Sequence, residues 1–320
     1  MTSKEKFIKA LKREPITGHV PHFELVFFLT MEALGKIHPL YRSFYQWGQM
    51  SKKEKALQVE DAAATYVAFA KKYNHSAIFI KGPLADFESY AELIKKVREM
   101  SEGEYFLLVH GDGTFAIPGS DMMEFSAGFF EKPAEMHALA KQKIDSACDS
   151  IQKLLDAGAP LDGIGMCSDY CFNNGPFWSP GMFSEFVAPY LTQQIERYHE
   201  MGLYVIKHTD GNIMPILDQL AAAKPDALHS LDPQGQVDLR LVKEKYGKEL
   251  CLIGNVNCGL LQSGTDEEVT ADVLRALRDG MPGYGYIFST SNCVFPGLPL
   301  ERYELMHSLW RKHGVYPESI

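Results

Sequence analysis

Apolar residues along this chain follow two alternating rhythms. Short dense runs recur as "HVPHFELVF" at 19–27, "SAIFI" at 76–80, "YFLLVH" at 105–110, "LDGIGM" at 161–166, "LYVI" at 203–206, "DALHSL" at 226–231, "ELCLIGN" at 249–255 and "GYIFST" at 285–290. Continuous apolar runs bounded by polar turn residues predict strands covered on both faces. Between them, "DAAATYVAFAKKY", "YAELIKKVREM", "AEMHALAKQKIDSACDSIQKLLDAG", "FSEFVAPYLTQQIERYHEMG", "IMPILDQLAAA", "DLRLVKEKYG" and "EEVTADVLRALRDG" place apolar residues three and four apart. That spacing predicts amphipathic helices, and several of them close on glycine. Eight strand candidates separated by helices predict parallel pairing, and eight is the number of units that closes a (β/α)8 barrel. The expected fold is therefore α/β, a (β/α)8 TIM barrel in a single domain over 1–320, with an N-terminal helical extension at 1–18. A doubly wound open sheet is the rival, but no GxGxxG follows an early strand to hold a nucleotide phosphate.

Composition narrows the function. The 320 residues are 46% hydrophobic, enough for a large core, and the net charge of −9 gives no electrostatic footprint for nucleic acid or anionic lipid. The opening "MTSKEKFIKALKREP" reads as a short amphipathic helix, and no apolar run approaches membrane-spanning length. Six cysteines without a CxxC pair fit a reduced, cytoplasmic setting better than a disulfide framework.

In a barrel the chemistry gathers at the C-terminal ends of the strands. In chain order those ends carry His22 and Glu24, Lys81, His110 and Asp112, Asp169 with "YCFNNG", His208 with Asp210, His229 and Asp232, Asn255 and Asn257, then Ser291, Asn292 and Cys293. Every strand must leave through polar residues, so part of this set is ordinary turn chemistry. Histidines, a cysteine and acids nevertheless recur where serine or glycine would serve a turn. His208, Asp210 and Cys293 make the sharpest constellation, because imidazole, carboxylate and thiolate are all zinc ligands. In "VIKHTDGN" the H-x-D spacing puts the first two on one side of a strand. The segment "CSDYCFNNGPFWSP" supplies Asp169, Tyr170, Asn173 and Asn174 as candidates to orient a polar substrate, and Ser179-Pro180 as a helix start. Lys81 at a strand end could bind an anion.

The stretch "SPGMFSEFVAPYLTQQIERYHEMGLYVIKHTDGNIMPILDQL" resembles the uroporphyrinogen decarboxylase superfamily, whose members carry an "SPxxFxxFxxPY" helix, a strand and an "HxCGN" turn. The likeness continues through "DALHSLDPQGQVDLRLVKEKYG", "CLIGNVNCGLLQSGT" and "GYIFSTSNCVFPGLPLERYELM", and touches the opening "KFIKALKREPITGHVPHFEL". It implies a (β/α)8 barrel with an N-terminal helical extension. Departures from the pattern choose a branch. The arginine-rich "RQAGR" that holds porphyrinogen carboxylates is absent, and "IFIKGP" puts Lys81-Gly82 where "IFSDI" carries the pyrrole-binding aspartate. The other branch comprises zinc- and corrinoid-dependent methyltransferases, similar to methylcobalamin:coenzyme M methyltransferase and the methyltransferases of O-demethylase systems. There an H-x-C pair and a late cysteine hold the metal; His208 and Cys293 match, whereas Asp210 stands in place of the middle cysteine. A carboxylate for a thiolate makes a harder ligand set, suited to oxygen-bearing substrates.

The resemblance thus implies a methyltransferase with zinc on His208, Asp210 and Cys293, and with Asp169, His208 and Asp210 as catalytic groups. Glu24, Lys81, Tyr170, Asn173, Asn174, Asn255 and Asn257 are expected to meet a small methyl donor or acceptor such as a methoxy compound. A corrinoid protein would dock over the rim, and dimers among relatives admit a homodimer. The alternative is a metal-free decarboxylase of a smaller acid, with Lys81 clamping a carboxylate and Asp169 or Asp210 donating the proton. A non-catalytic binding barrel is the third reading.

Overall fold

The computed structural model describes residues 1–42, 44–82 and 84–317. In chain order the strands are β1 Gly18–His19, β2 Ala77–Ile80, β3 Phe106–His110, β4 Gly163–Met166, β5 Cys171–Phe172, β6 Gly175–Pro176, β7 Tyr204–Thr209, β8 Ala227–Ser230, β9 Cys251–Val256, β10 Tyr286–Thr290 and β11 Val315–Tyr316. Seven of the eight expected runs form one sheet in the order β2-β3-β4-β7-β8-β9-β10. All neighbours in it are parallel. Every residue of β2, β4, β8, β9 and β10 is buried, as continuous apolar runs require when both faces are covered.

The expected first strand at 19–27 is corrected to something slighter. His22 makes single parallel bridges to His75 beside β2 and to Phe288 in β10, and Phe27 bridges to Val294. The Ser76 amide donates to His22 O at 2.6 Å, while Phe23 N donates to Phe288 O at 3.0 Å and Phe288 N to Pro21 O at 2.8 Å. The two edges of the sheet are thus joined through a seam of isolated bonds. Pro21 has no amide to give a ladder, which keeps this segment from extending as a strand. Below the seam, β1 pairs antiparallel with β11.

Helices fall where their caps place them. Ser51 and Glu54 form a capping box ahead of Lys52–Lys72, and Thr265 with Glu268 does the same for Asp266–Gly280. Ser179 caps Pro180–Phe186, with Pro180 at its first position as the sequence predicts. The single helix expected over 183–202 breaks at Val187, because Pro189 has no amide for the Glu185 carbonyl one turn back and its ring clashes with it, and resumes as Ala188–Glu200. Met122–Glu131, Cys258–Ser263 and Leu300–His313 are helices that the sequence reading did not single out. Among the described residues no helix is long and apolar enough to cross a membrane.

Strand β7 runs to Thr209, three residues beyond its expected end, and the extension carries Lys207 and His208 into the interior. Two glycines shape the chain beyond it. Gly211 has φ +76°, and a Cβ there would stand 2.6 Å from the Phe172 carbonyl oxygen. Gly235 lies so close to Gly211 that a Cβ would fall 2.2 Å from its carbonyl carbon. Only glycine lets these backbones meet, and their contact fixes the turn just past Asp210.

Candidate metal centre

The C-terminal ends of β4 and β7 bring three side chains together. Ligand-competent atoms of Asp169, His208 and Asp210 all lie within 4.8 Å of one another. His208 Nε2 stands 3.6 Å from Asp210 Oδ1 and 3.8 Å from Asp169 Oδ1. These separations are too long for hydrogen bonds, yet close to the roughly 3.3–3.5 Å between two ligands of one tetrahedral zinc. Side-chain exposure rises from 6% at His208 through 22% at Asp210 to 48% at Asp169, so the cluster opens toward solvent on one side.

Each member is held by its surroundings. The His208 Nδ1 pairs with His229 Nδ1 at 2.7 Å, which leaves Nε2 facing the two carboxylates. Asn292 donates its amide to Asp210 Oδ2, and the same side chain accepts from the Cys293 amide at 2.6 Å. The Asp210 amide in turn donates to Asp169 Oδ1 at 3.1 Å. Asp210 Oδ1 is buried and makes no hydrogen bond, and among the described residues His208 Nε2 beside it has none either. Burial raises the Asp210 carboxyl above the usual range; the His208 ring opposes this and the Asp169 charge adds to it. A buried acceptor lacking a donor, beside a ring nitrogen and a second carboxylate, is the arrangement that a divalent cation resolves. The residues present fit a metal, with one nitrogen and carboxylate oxygens as donors.

Beneath the cluster lies a buried ion pair. Lys207, fully buried on β7, donates from Nζ to Asp112 Oδ2 at 2.8 Å and to the Ser168 carbonyl at 2.9 Å, and its ammonium lies 4.2 Å from the Tyr170 ring centroid. Asp112 also accepts from Ser168 N at 2.8 Å, Thr114 N at 2.9 Å and Thr114 Oγ1 at 2.6 Å. Burial alone would push the Asp112 carboxyl up; the Lys207 charge and these bonds hold it instead at about 2. Ser168 and Tyr170 flank Asp169, so the pair fixes the backbone that presents this carboxylate.

The structure places the expected site residues unequally. His208 and Asp210 share one side as their spacing predicts, and Asp169 joins them. Cys293 follows β10 and is half-buried; it is not a member of the three-residue cluster. Burial pushes its thiol up to about 12, with the Lys81 charge opposing and Asp210, Glu24 and Asp169 adding. Lys81 is exposed just past β2, and Pro83 lies outside the described residues. Asn173 and Asn174 are exposed at the tip of the small β5–β6 ribbon. Four others are occupied by the protein itself. Glu24 accepts from Thr290 Oγ1 at 2.5 Å and sits 3.2 Å from His22 Nε2. Tyr170 is buried with its hydroxyl on Thr114 Oγ1 at 2.6 Å. Asn255 is fully buried between the Leu231 carbonyl and Arg275, and Asn257 caps the helix Cys258–Ser263. Sequence reading missed Lys207 and Ser289; a lysine inside an apolar strand run was the available signal for the first. A cavity of about 530 Å³ between Leu277, Met281, Tyr284 and Tyr316 lies near the opposite ends of the strands and lacks carboxylates.

Known proteins share this architecture. The uroporphyrinogen decarboxylase (URO-D) family model matches residues 81–313. No curated protein matches the chain. Among solved structures, a methyltransferase from Methanosarcina mazei superposes with a TM-score of 0.75 at 17% identity, over 98% of this chain and 99% of that one. That likeness concerns the fold. An N-acetylneuraminate lyase from Mycoplasma synoviae matches with a TM-score of only 0.41 at 13% identity, over 92% of this chain and 78% of that one.

Proposed function

The chain belongs to the uroporphyrinogen decarboxylase family, and on that premise we propose that it is a zinc-dependent methyltransferase. It would move a methyl group between a small substrate, such as a methoxy compound, and a corrinoid protein. The observation that carries this reading is the unpartnered Asp210 Oδ1, converging with His208 Nε2 and Asp169 Oδ1 at the open end of the sheet. His208, Asp210 and Asp169 would hold the metal, with Cys293 beside them on the rim. Bound there, zinc would supply Lewis acidity toward an ether or hydroxyl oxygen, or lower the pKa of a thiol.

The chain's own residues do the rest. Asn292 holds Asp210 Oδ2 and thereby aims Oδ1 at the cluster. The Lys207–Asp112 pair keeps Asp169 at the opening, where a substrate enters. Phe172 and Phe177, in contact across the ribbon, form an apolar wall, and Lys81 offers a cation to an acidic substituent. The exposed ribbon tip at Asn173 and Asn174 gives a corrinoid protein a polar edge to meet. We read the bonded seam at His22 as the eighth stave of a (β/α)8 barrel, which puts all these groups on its catalytic rim.

Purified protein is expected to contain stoichiometric zinc and to transfer methyl groups to a corrinoid. Absence of metal, together with full activity in Asp210→Ala, would sink this reading. The metal-free decarboxylase has one observation in its favour: burial raises the Asp210 carboxyl, as a proton donor requires. Release of carbon dioxide from small acids, unaffected by chelators, would select it.

A further inference from the structure

We propose that Glu24 is a positioning residue that decides which ring nitrogen of His208 carries the proton, acting through Ser289 and His229. Its consequence for metal binding rests on the proposed function, whereas the geometry of the relay stands without it. The links form one buried chain. His208 Nδ1 is 2.7 Å from His229 Nδ1, His229 Nε2 is 3.3 Å from Ser289 Oγ, and Ser289 Oγ is 3.3 Å from Glu24 Oε2. Glu24, His229 and Ser289 are at most 3% exposed, and His208 is 5% exposed.

Each link has one proton to give, so the polarity of one end dictates the other. Glu24 Oε2 receives the Thr290 amide at 3.2 Å, which marks it as the acceptor end. The Ser289 hydroxyl therefore donates to Glu24 and offers only lone pairs to His229. His229 fills that place with Nε2–H. With its N–H spent on Ser289, His229 turns its acceptor nitrogen Nδ1 toward His208. The 2.7 Å contact then requires the proton on His208 Nδ1. His208 Nε2 is left with its lone pair directed at the space between Asp169 and Asp210. A cation needs that lone pair, and an N–H in its place would block it. Glu24 lies in the seam and Ser289 in β10, so the bonds that join the sheet edges also polarise a ligand on β7.

The test reads the tautomer in metal-free protein by long-range proton–nitrogen NMR with ¹⁵N-histidine, His208 being assigned by its loss in His208→Gln. Wild type and Glu24→Gln, which keeps an oxygen for Thr290 and Ser289, should both show the Nδ1–H form. Glu24→Met removes the acceptor, and Ser289→Ala cuts the chain while leaving Glu24 in place, should the first variant fail to fold. Both should populate the Nε2–H form and weaken zinc in chelator competition by about 10–100-fold. Ser289→Thr, which restores the hydroxyl, should recover both readouts. An Nε2–H form in wild type, or an unchanged tautomer in Ser289→Ala, overturns the proposal. So does a changed tautomer with undiminished zinc affinity. If wild type binds no zinc, the metal reading falls, and the tautomer data still decide the wiring.

Discussion

Replacing Lys207 by methionine tests the buried pair that carries the candidate centre. Methionine keeps most of the stem and its packing while removing the ammonium from Asp112, Ser168 and the Tyr170 ring. Asp112 would stay fully buried, keeping its bonds from Ser168 and Thr114 but losing its counter-charge. Breaking half of such a pair destabilises by about 3–5 kcal/mol. Unfolding entropy near 2.1 cal/mol/K per residue gives roughly 0.7 kcal/mol/K for this length, so the midpoint should fall by about 4–8 °C. Differential scanning calorimetry at a fixed scan rate and about pH 7 measures it. The pH dependence has a definite sign. Burial would raise the Asp112 carboxyl, and Lys207 holds it down at about 2. Its stabilisation is therefore present above the unfolded value of about 3.9 and is lost as pH falls through the folded one. In the variant the unpaired carboxyl rises instead, so the gap between variant and parent should narrow as pH falls from that raised value toward about 2. Adding Asp112→Asn removes the orphaned charge but keeps an oxygen for only one of the two amides, so it should recover part of the loss. A variant midpoint within about 1 °C of the parent, or a gap that widens in acid, would refute the reasoning.

Other consequences are as direct. Gly211→Ala puts a Cβ against the Phe172 carbonyl at a left-handed position; it should destabilise by about 1–3 kcal/mol and weaken zinc binding, as melting and chelator competition report. Asp169→Asn should reduce zinc affinity more than Cys293→Ser, because Asp169 and not Cys293 shares the cluster with His208; calorimetric titration decides. The hydrogen bond to Asp226 raises the pKa of His199, so that pair's stabilisation is full below the unfolded value near 6.5 and fades as pH rises through the folded one. Solvent screening keeps it under about 1 kcal/mol, and the stability difference between wild type and His199→Gln should shrink between about pH 6 and 8.

Much of the scaffold was legible because buried parallel strands write themselves as unbroken apolar runs. The first strand was misread for the same reason: "HVPHFELVF" has the apolar density of a strand, and only Pro21 signals that a ladder cannot form. At the site, the period of two in a strand brought His208 and Asp210 together, and the position of Asp169 at the end of β4 was also readable. The partners of polar residues were not. Glu24, Tyr170, Asn255 and Asn257 find their donors and acceptors in Thr290, Thr114, Arg275 and Gly259, all distant in sequence or supplied by local caps. Lys207 escaped notice because its counter-charge, Asp112, lies 95 positions away.

The seam also sets an order of events in time. Residues 18–19 pair with residues 315–316, and His22 needs Phe288 in place before the sheet edges join. At about 5–20 residues per second, the ribosome keeps the early segment waiting on the order of 15–60 s for its partner. Until then Glu24 has no Thr290 or Ser289 to bond, and a nascent chain can present the acids of the cluster without a settled imidazole between them. The setting of that imidazole is therefore completed only once β10 has been made and has joined the seam.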